Sequence, residues 1–211
     1  MDVIMDLINL ILHIDTHIAD FIANFGFLTY FILFAIIFLE TGFVVTPFLP
    51  GDSLLFAAGA FAAKGSFNFF FLFMLMVIAA ILGDSVNYWI GRKIGIRLAR
   101  SRFVKAEYMQ KAESFYEKYG GKAIIIARFM PIVRTFVPFI AGISNMNFSK
   151  FLSRNIIGGF LWISLFLLLG YFFGNIPIVN DNFSLVTIGI ILVSVLPVVF
   201  TLVQEKMKSK K

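Results

Sequence analysis

Polar residues interrupt this apolar chain at a few regular places. In residues 2–22, Asp2, Asp6, Asn9, His13, His17 and Asp20 recur at steps of three and four among Val3, Leu7, Leu10, Ile14, Ile18 and Phe21. A narrow polar stripe on an apolar helix predicts an amphipathic helix lying in a membrane interface or in a groove on the protein. Residues 69–91 read as one full span, with Arg92 and Lys93 at its end. Residues 96–119 predict a second amphipathic helix, with Tyr108, Ala112, Phe115, Tyr116 and Tyr119 as its apolar stripe. Glu107 and Lys111 form an i, i+4 pair on its wet side, and Gly120-Gly121 stops it. Residues 156–173 and 183–203 read as two further spans, joined by the loop 174–182.

Two apolar stretches do not fit a plain span. The first, 25–63, contains Glu40 and Asp52 around Pro47 and Pro50-Gly51; the second, 122–148, contains Arg128 and Arg134 around Pro131 and Pro138. From Phe25 to Leu39 the first offers 15 residues, short of the roughly 20 that cross a hydrocarbon core. Each is therefore predicted to be a re-entrant hairpin broken by its proline and glycine residues. Irregular backbone at membrane depth is tolerated where protein or a wet cavity surrounds it.

The order amphipathic helix, broken hairpin, span occurs twice, over 2–91 and 96–173. Local echoes accompany it: Phe25-Gly26 with Tyr119-Gly120, Ala58-Gly59 with Ala141-Gly142, and Phe67-Asn68 near Asn147-Phe148. One crossing separates the copies, so the second is inverted. The expected fold is an all-α integral membrane protein in a single domain. It has an inverted repeat, two facing re-entrant hairpins, three full spans and amphipathic interfacial helices.

Composition supports a membrane reading over a soluble one. The 211 residues are 60% hydrophobic and 14% charged, whereas soluble domains lie near half and a quarter. Charge is concentrated rather than spread. Before residue 92 the only base is Lys64; 92–118 holds eight, and the tail 204–211 holds Lys206, Lys208, Lys210 and Lys211. Bases flanking apolar spans report orientation, which predicts a cytoplasmic C-terminus and no nucleic-acid partner. Asp2 and Asp6 stand where a signal peptide would carry bases, so no signal peptide is expected. The absence of cysteine excludes disulfides and thiol chemistry.

Ionisable groups at membrane depth are costly, so Glu40, Asp52, Arg128 and Arg134 form a candidate site. In the functional reading, Arg128 and Arg134 hold a substrate phosphate by bidentate charge-assisted bonds, and Glu40 and Asp52 take a proton or release the substrate. In the structural reading, the four are ion pairs that pin the hairpins together. Asp84, Asn87 and Tyr88 share one face near the end of the span 69–91 and are possible supporting residues. Asp84 is either an arginine's structural partner or a coupling group. His13 and His17 stand i, i+4, but no third ligand is evident, and no metal or cofactor is expected. No GxSxG, HExxH or Walker pattern is present, so no enzyme is expected.

The segments FLETGFVVTPFLPGDSLLFAAG (38–59), GDSVNYWIGRKIG (83–95) and ARFMPIVRTFVPFIAG (127–142) resemble the DedA family, also called VTT or SNARE-associated domain proteins. The resemblance implies facing re-entrant hairpins, proton- or potential-dependent activity, roles in envelope homeostasis, and headgroup translocation in several members. It implies required acids at Glu40 and Asp52 and required arginines at Arg128 and Arg134. The expected function is a flippase for an anionic polyprenyl or phospholipid phosphate, undecaprenyl phosphate foremost, with membrane lipids and protons as partners. The rivals are a proton-coupled cation or small-solute antiporter and a non-transport membrane scaffold.

Overall fold

A computed structural model describes residues 24–43, 51–99, 106–130 and 133–177, and all regular structure among them is helical. The helices are α1 (Phe27–Gly42), α2 (Gly51–Ala63), α3 (Phe69–Ala99), α4 (Ala106–Tyr119), α5 (Ala123–Ile126), α6 (Val133–Ile143) and α7 (Phe148–Gly174). Short 3₁₀ segments, Gly120–Lys122 and Ala127–Phe129, flank α5. The predicted helix 2–22, the span 183–203, the tail 204–211, and Pro47, Pro50 and Pro131 lie outside the described residues.

Two stretches, Phe69–Gly95 and Phe148–Gly174, are long and apolar enough to cross a membrane; each has 27 residues. At 1.5 Å per residue each extends about 40 Å, more than a bilayer's hydrocarbon core. Only 39% and 33% of their most apolar windows are buried inside the protein, so most of that apolar surface faces outward, as lipid contact requires. By contrast α1, α2 and α6 have 16, 13 and 11 residues and are too short to cross alone.

Both long helices extend beyond their predicted ranges. Helix α3 continues through Arg92 and Lys93 to Ala99, so residues 96–99 belong to it and the next helix begins at Ala106. Arg, Lys, Ile, Leu and Ala all sustain a helix, and Gly91 and Gly95 serve packing rather than termination. Helix α7 begins at Phe148, not 156. The Asn147 side-chain oxygen accepts from the backbone N–H groups of Ser149 (3.0 Å) and Lys150 (3.3 Å), an N-cap worth roughly 1 kcal/mol. Lys150 and Ser153, which break the apolar run, lie on the exposed side.

The second broken segment is not a mirror of the first. Its opening arm is one turn of α-helix between two 3₁₀ turns, against the 16 residues of α1. Met130 is extended (φ −118°, ψ 106°) because Pro131 follows it and disfavours the helical region. Pro138, expected as a breaker, lies inside α6. It gives up one helix hydrogen bond, and the buried packing on both sides of it holds the helix. Gly51, also expected as a breaker, is the first residue of α2.

The described chain divides into two compact units. In the first, α2 packs on the last turns of α7. A Cβ on Gly59 would collide with the Leu167 carbonyl, and one on Gly170 with the Phe56 carbonyl. In the second, α6 packs on the last turns of α3. A Cβ on Gly142 would collide with the Tyr88 carbonyl, and one on Gly91 with the Phe139 carbonyl. The register is the same in both: the long-helix positions differ by 79 (91 to 170, 88 to 167) and the short-helix positions by 83 (59 to 142, 56 to 139).

The two short helices also end alike. Ser66 N–H bonds the Phe61 carbonyl and Gly65 N–H that of Ala62; Met146 N–H bonds Ala141 and Asn145 N–H bonds Gly142. These are two Schellman turns, with Gly65 (φ +82°) and Asn145 (φ +52°) in the left-handed position. Asn68 and Asn147 then directly precede α3 and α7. Gly59 and Gly142, the glycines of the Ala58-Gly59 and Ala141-Gly142 pairs, each stand at such a close backbone contact.

Within the second unit the core is Tyr88, Ala112, Ala123, Ile124, Phe136, Val137, Phe139 and Phe151, among others, with Met109, Phe115 and Tyr116 of α4 packed against it. Tyr119, expected in that stripe, is exposed, and the Lys118 ammonium stands 5.2 Å from its ring centroid.

These contacts give a test of the helix crossings. Gly142→Ala should destabilise the protein by about 2 kcal/mol, because the new methyl meets backbone that cannot rotate away. Gly42→Ala, whose methyl would lie 3.5 Å from Gly83, should be neutral or stabilising. Thermal unfolding of the purified protein in detergent distinguishes the two.

Candidate functional site

Five helical segments of the second unit bring polar side chains to one buried cluster. Helix α1 presents Glu40 in its last turn. Helix α3 presents Asp84 and Asn87, the 3₁₀ turn after α5 presents Arg128, and the first turn of α6 presents Arg134. Helix α7 contributes Asn155 and Trp162. Glu40 is 0% exposed, Asp84 3% and Arg128 4%.

The arginines take separate carboxylates. Arg134 Nη2 donates to Glu40 Oε1, and Arg128 Nη2 donates to Asp84 Oδ2. Arg128 Nη2 also donates to Asn155 Oδ1 (2.6 Å) and the Ala80 carbonyl (3.3 Å). Asn155 Nδ2 in turn donates to the Ile81 carbonyl (3.0 Å), which fixes its amide orientation. Asn87 Nδ2 donates to the carbonyls of Thr41 (3.2 Å) and Thr135 (2.7 Å), tying the end of α1 to the start of α6 beside the two carboxylate pairs. Both guanidiniums lie over one indole, Arg128 at 5.6 Å and Arg134 at 5.2 Å from the Trp162 centroid.

Helix α7 makes room for Arg128. A Cβ on Gly158 would stand 3.4 Å from Arg128 Cδ and 3.2 Å from Ile125 Cα, and one on Gly159 would stand 3.6 Å from Arg128 Nη2. Asn155, Gly158, Gly159 and Trp162 follow one another at i, i+3, i+4 and i+7, so one face of α7 forms the bed of this side chain. The Gly158-Gly159 pair admits an arginine as well as a neighbouring backbone.

With both carboxylates ionised, the two acids and two bases sum to zero. A buried neutral quartet is far less costly than any unpaired member. Within the cluster, buried Arg128 Nε and Asn87 Oδ1 find no hydrogen-bond partner among the described residues. One is a donor and the other an acceptor. Each such orphan costs roughly 1–3 kcal/mol, a cost that calls for an explanation.

The sequence expectation that Glu40 and Asp52 face Arg128 and Arg134 is met for Glu40 and Arg134. The counter-ion of Arg128 is Asp84. Asp52 belongs to the other unit, where it is half-buried in the first turn of α2, a position that suits a carboxylate. Asn87 joins the cluster and Tyr88 does not: its hydroxyl donates to the Met146 carbonyl, and its ring stacks on Phe151 at 4.6 Å. Asn155 and Trp162 were not singled out by sequence reasoning. The available signal was a lone amide two helical turns before a tryptophan, on the same face of an apolar span.

Comparison with known proteins places the chain in a family. The VTT domain matches residues 49–172. Protein DedA of Escherichia coli (strain K12) is 53% identical over 98% of this chain and 96% of its own length. An uncharacterized membrane protein of Mycobacterium leprae (strain TN) is 45% identical over 77% of this chain and 74% of its own. The inner membrane protein YqjA of Escherichia coli (strain K12) is 40% identical over 71% of this chain and 69% of its own. No solved structure matches. The chain is a membrane protein of the DedA family of VTT-domain proteins.

Proposed function

We propose that this protein is a secondary transporter that moves an anionic lipid phosphate across the bacterial inner membrane, undecaprenyl phosphate foremost, in support of envelope homeostasis. The observation behind this reading is the buried quartet: two guanidiniums, each holding a carboxylate, in a chain whose long helices turn apolar faces outward. A guanidinium binds phosphate oxygens with the same N–H groups that now bind a carboxylate. A lipid tail can stay in the bilayer while its headgroup reaches the arginines. In this reading the short-helix segments are re-entrant hairpins of inverted repeats, the C-terminus is cytoplasmic, and the lipid is moved without chemical change.

Charge neutrality implies the coupling. A phosphate monoanion entering the quartet adds one negative charge to a buried site, at a cost of several kcal/mol unless it is matched. Protonation of Glu40 supplies the match and also releases Arg134 for the headgroup. A proton gradient or the membrane potential can then drive the cycle. Cation exchange alone gives two buried arginines no task, which ranks the antiporter reading second.

The test is translocation of a fluorescent polyprenyl phosphate in proteoliposomes of defined orientation under an imposed proton gradient. Wild type should show gradient-dependent movement, and Arg134→Ala should lose at least about tenfold of it. An Arg134→Ala protein that inserts normally and transports at the wild-type rate would refute the mechanism. Proton or cation flux without lipid movement would favour the antiporter.

A further inference from the structure

Trp162 occupies an unusual place beside two cations. It is 1% exposed, and two guanidiniums lie within 6 Å of its ring centroid, the range in which the ring quadrupole attracts a cation. Their carboxylates come from different helices, Asp84 from α3 and Glu40 from α1, so the indole is a partner both arginines share. Like charges repel, and a buried aromatic ring offsets that repulsion without adding charge.

The kind of contact matters for exchange. An oxyanion competes for N–H groups at the edge of a guanidinium. An aromatic ring engages the cation through its charge and leaves that edge available. An arginine resting on an indole can therefore change one oxyanion for another without losing its place. Helix α7 also holds Arg128 through Asn155 and the Gly158-Gly159 bed, so the indole, the amide and the glycines form one rigid support.

We propose that Trp162 is the positioning residue of the site: its indole keeps both guanidiniums in place while Arg134 exchanges the Glu40 carboxylate for an oxygen of an anionic headgroup. This rests on the transport reading above and assigns a role to a side chain that meets both cations.

Two measurements test it. The first compares Trp162→Phe with Trp162→Met in the proteoliposome assay. Both shorten the side chain, but only Phe keeps a quadrupole. Phe should retain transport within about threefold of wild type and Met should fall about tenfold or more, at matched thermal stability. Equal rates for the two would assign Trp162 to packing and overturn the proposal.

The second needs no transport. The chain has two tryptophans, so Trp89→Phe leaves Trp162 as the sole tryptophan, excited selectively at the red edge of the tyrosine absorption. Adding Arg134→Gln in that background should change its emission intensity and maximum, because a cation is removed from beside the indole. Unchanged emission would overturn the contact and the proposal with it. If wild-type protein moves no lipid phosphate, the transport reading fails, and the emission result alone decides whether Trp162 holds the arginine.

Discussion

Asp84→Ala should lower stability by about 3–5 kcal/mol, enough to deplete folded protein from the membrane. The substitution removes the carboxylate from a guanidinium that is 4% exposed and leaves it the amide of Asn155 and the carbonyl of Ala80, two neutral acceptors. Neither balances the charge. Arg128→Ala should be similarly costly, because it strands the carboxylate instead. The double variant Asp84→Ala, Arg128→Ala strands no charge, so it should be more stable than either single variant despite its larger cavity. A double-mutant cycle read by thermal unfolding in detergent checks this. Additive losses would mean that the pair is not coupled.

Glu40→Gln should act on turnover more than on folding. The amide keeps an oxygen to accept from Arg134 and nearly the same volume, so the packing at the end of α1 survives. The negative competitor is lost. Charge-assisted bonds exceed neutral ones by about 1–2 kcal/mol, so an anion such as farnesyl phosphate should bind about tenfold more tightly to the variant. Release should slow by a comparable factor and transport should fall with it. The pH dependence follows with its sign. Under the proposed exchange, protonation of Glu40 removes the competitor, so anion binding by wild type should tighten as the pH falls. Glu40→Gln already resembles the protonated state, so its affinity should be high and nearly flat with pH. Affinities measured between pH 5 and pH 8 check both points.

How much of this was readable in advance depended on which physics set each feature. The bilayer fixes how long an apolar helix must be, so the two long helices, and the segments too short to span, were legible from hydropathy alone. Their ends were not. Gly91 looks like a stop beside Arg92, but it is a contact point for the Phe139 carbonyl, and one sequence does not distinguish a glycine that ends a helix from one that lets another backbone approach. Asn147 was legible only as an echo of Asn68; its capping bonds explain why α7 starts early. Periodicity correctly placed Ala112, Phe115 and Tyr116 inward on α4 and placed Tyr119 one turn too far.

The site was legible as a set of residues more than as a set of pairs. Cost at membrane depth singled out Glu40, Asp52, Arg128 and Arg134 without regard to fold, and Asp52 belongs to the other unit. Which acid meets which base depends on tertiary placement: Asp84 and Arg128 are separated by 44 residues, and Glu40 and Arg134 by 94. Trp162 went unnoticed because a tryptophan in an apolar span has an ordinary explanation as packing. Its partnership with two arginines exists only in three dimensions.

The most direct test of the central claim is proton uptake on anion binding. Farnesyl phosphate is titrated into the purified protein by calorimetry, in buffers of different ionisation enthalpy at one pH. Wild type should take up close to one proton for each anion bound, and Glu40→Gln should take up almost none. Anion binding without proton uptake by wild type, or equal uptake by Glu40→Gln, would contradict the assignment of Glu40 and Arg134 as the coupled exchange pair.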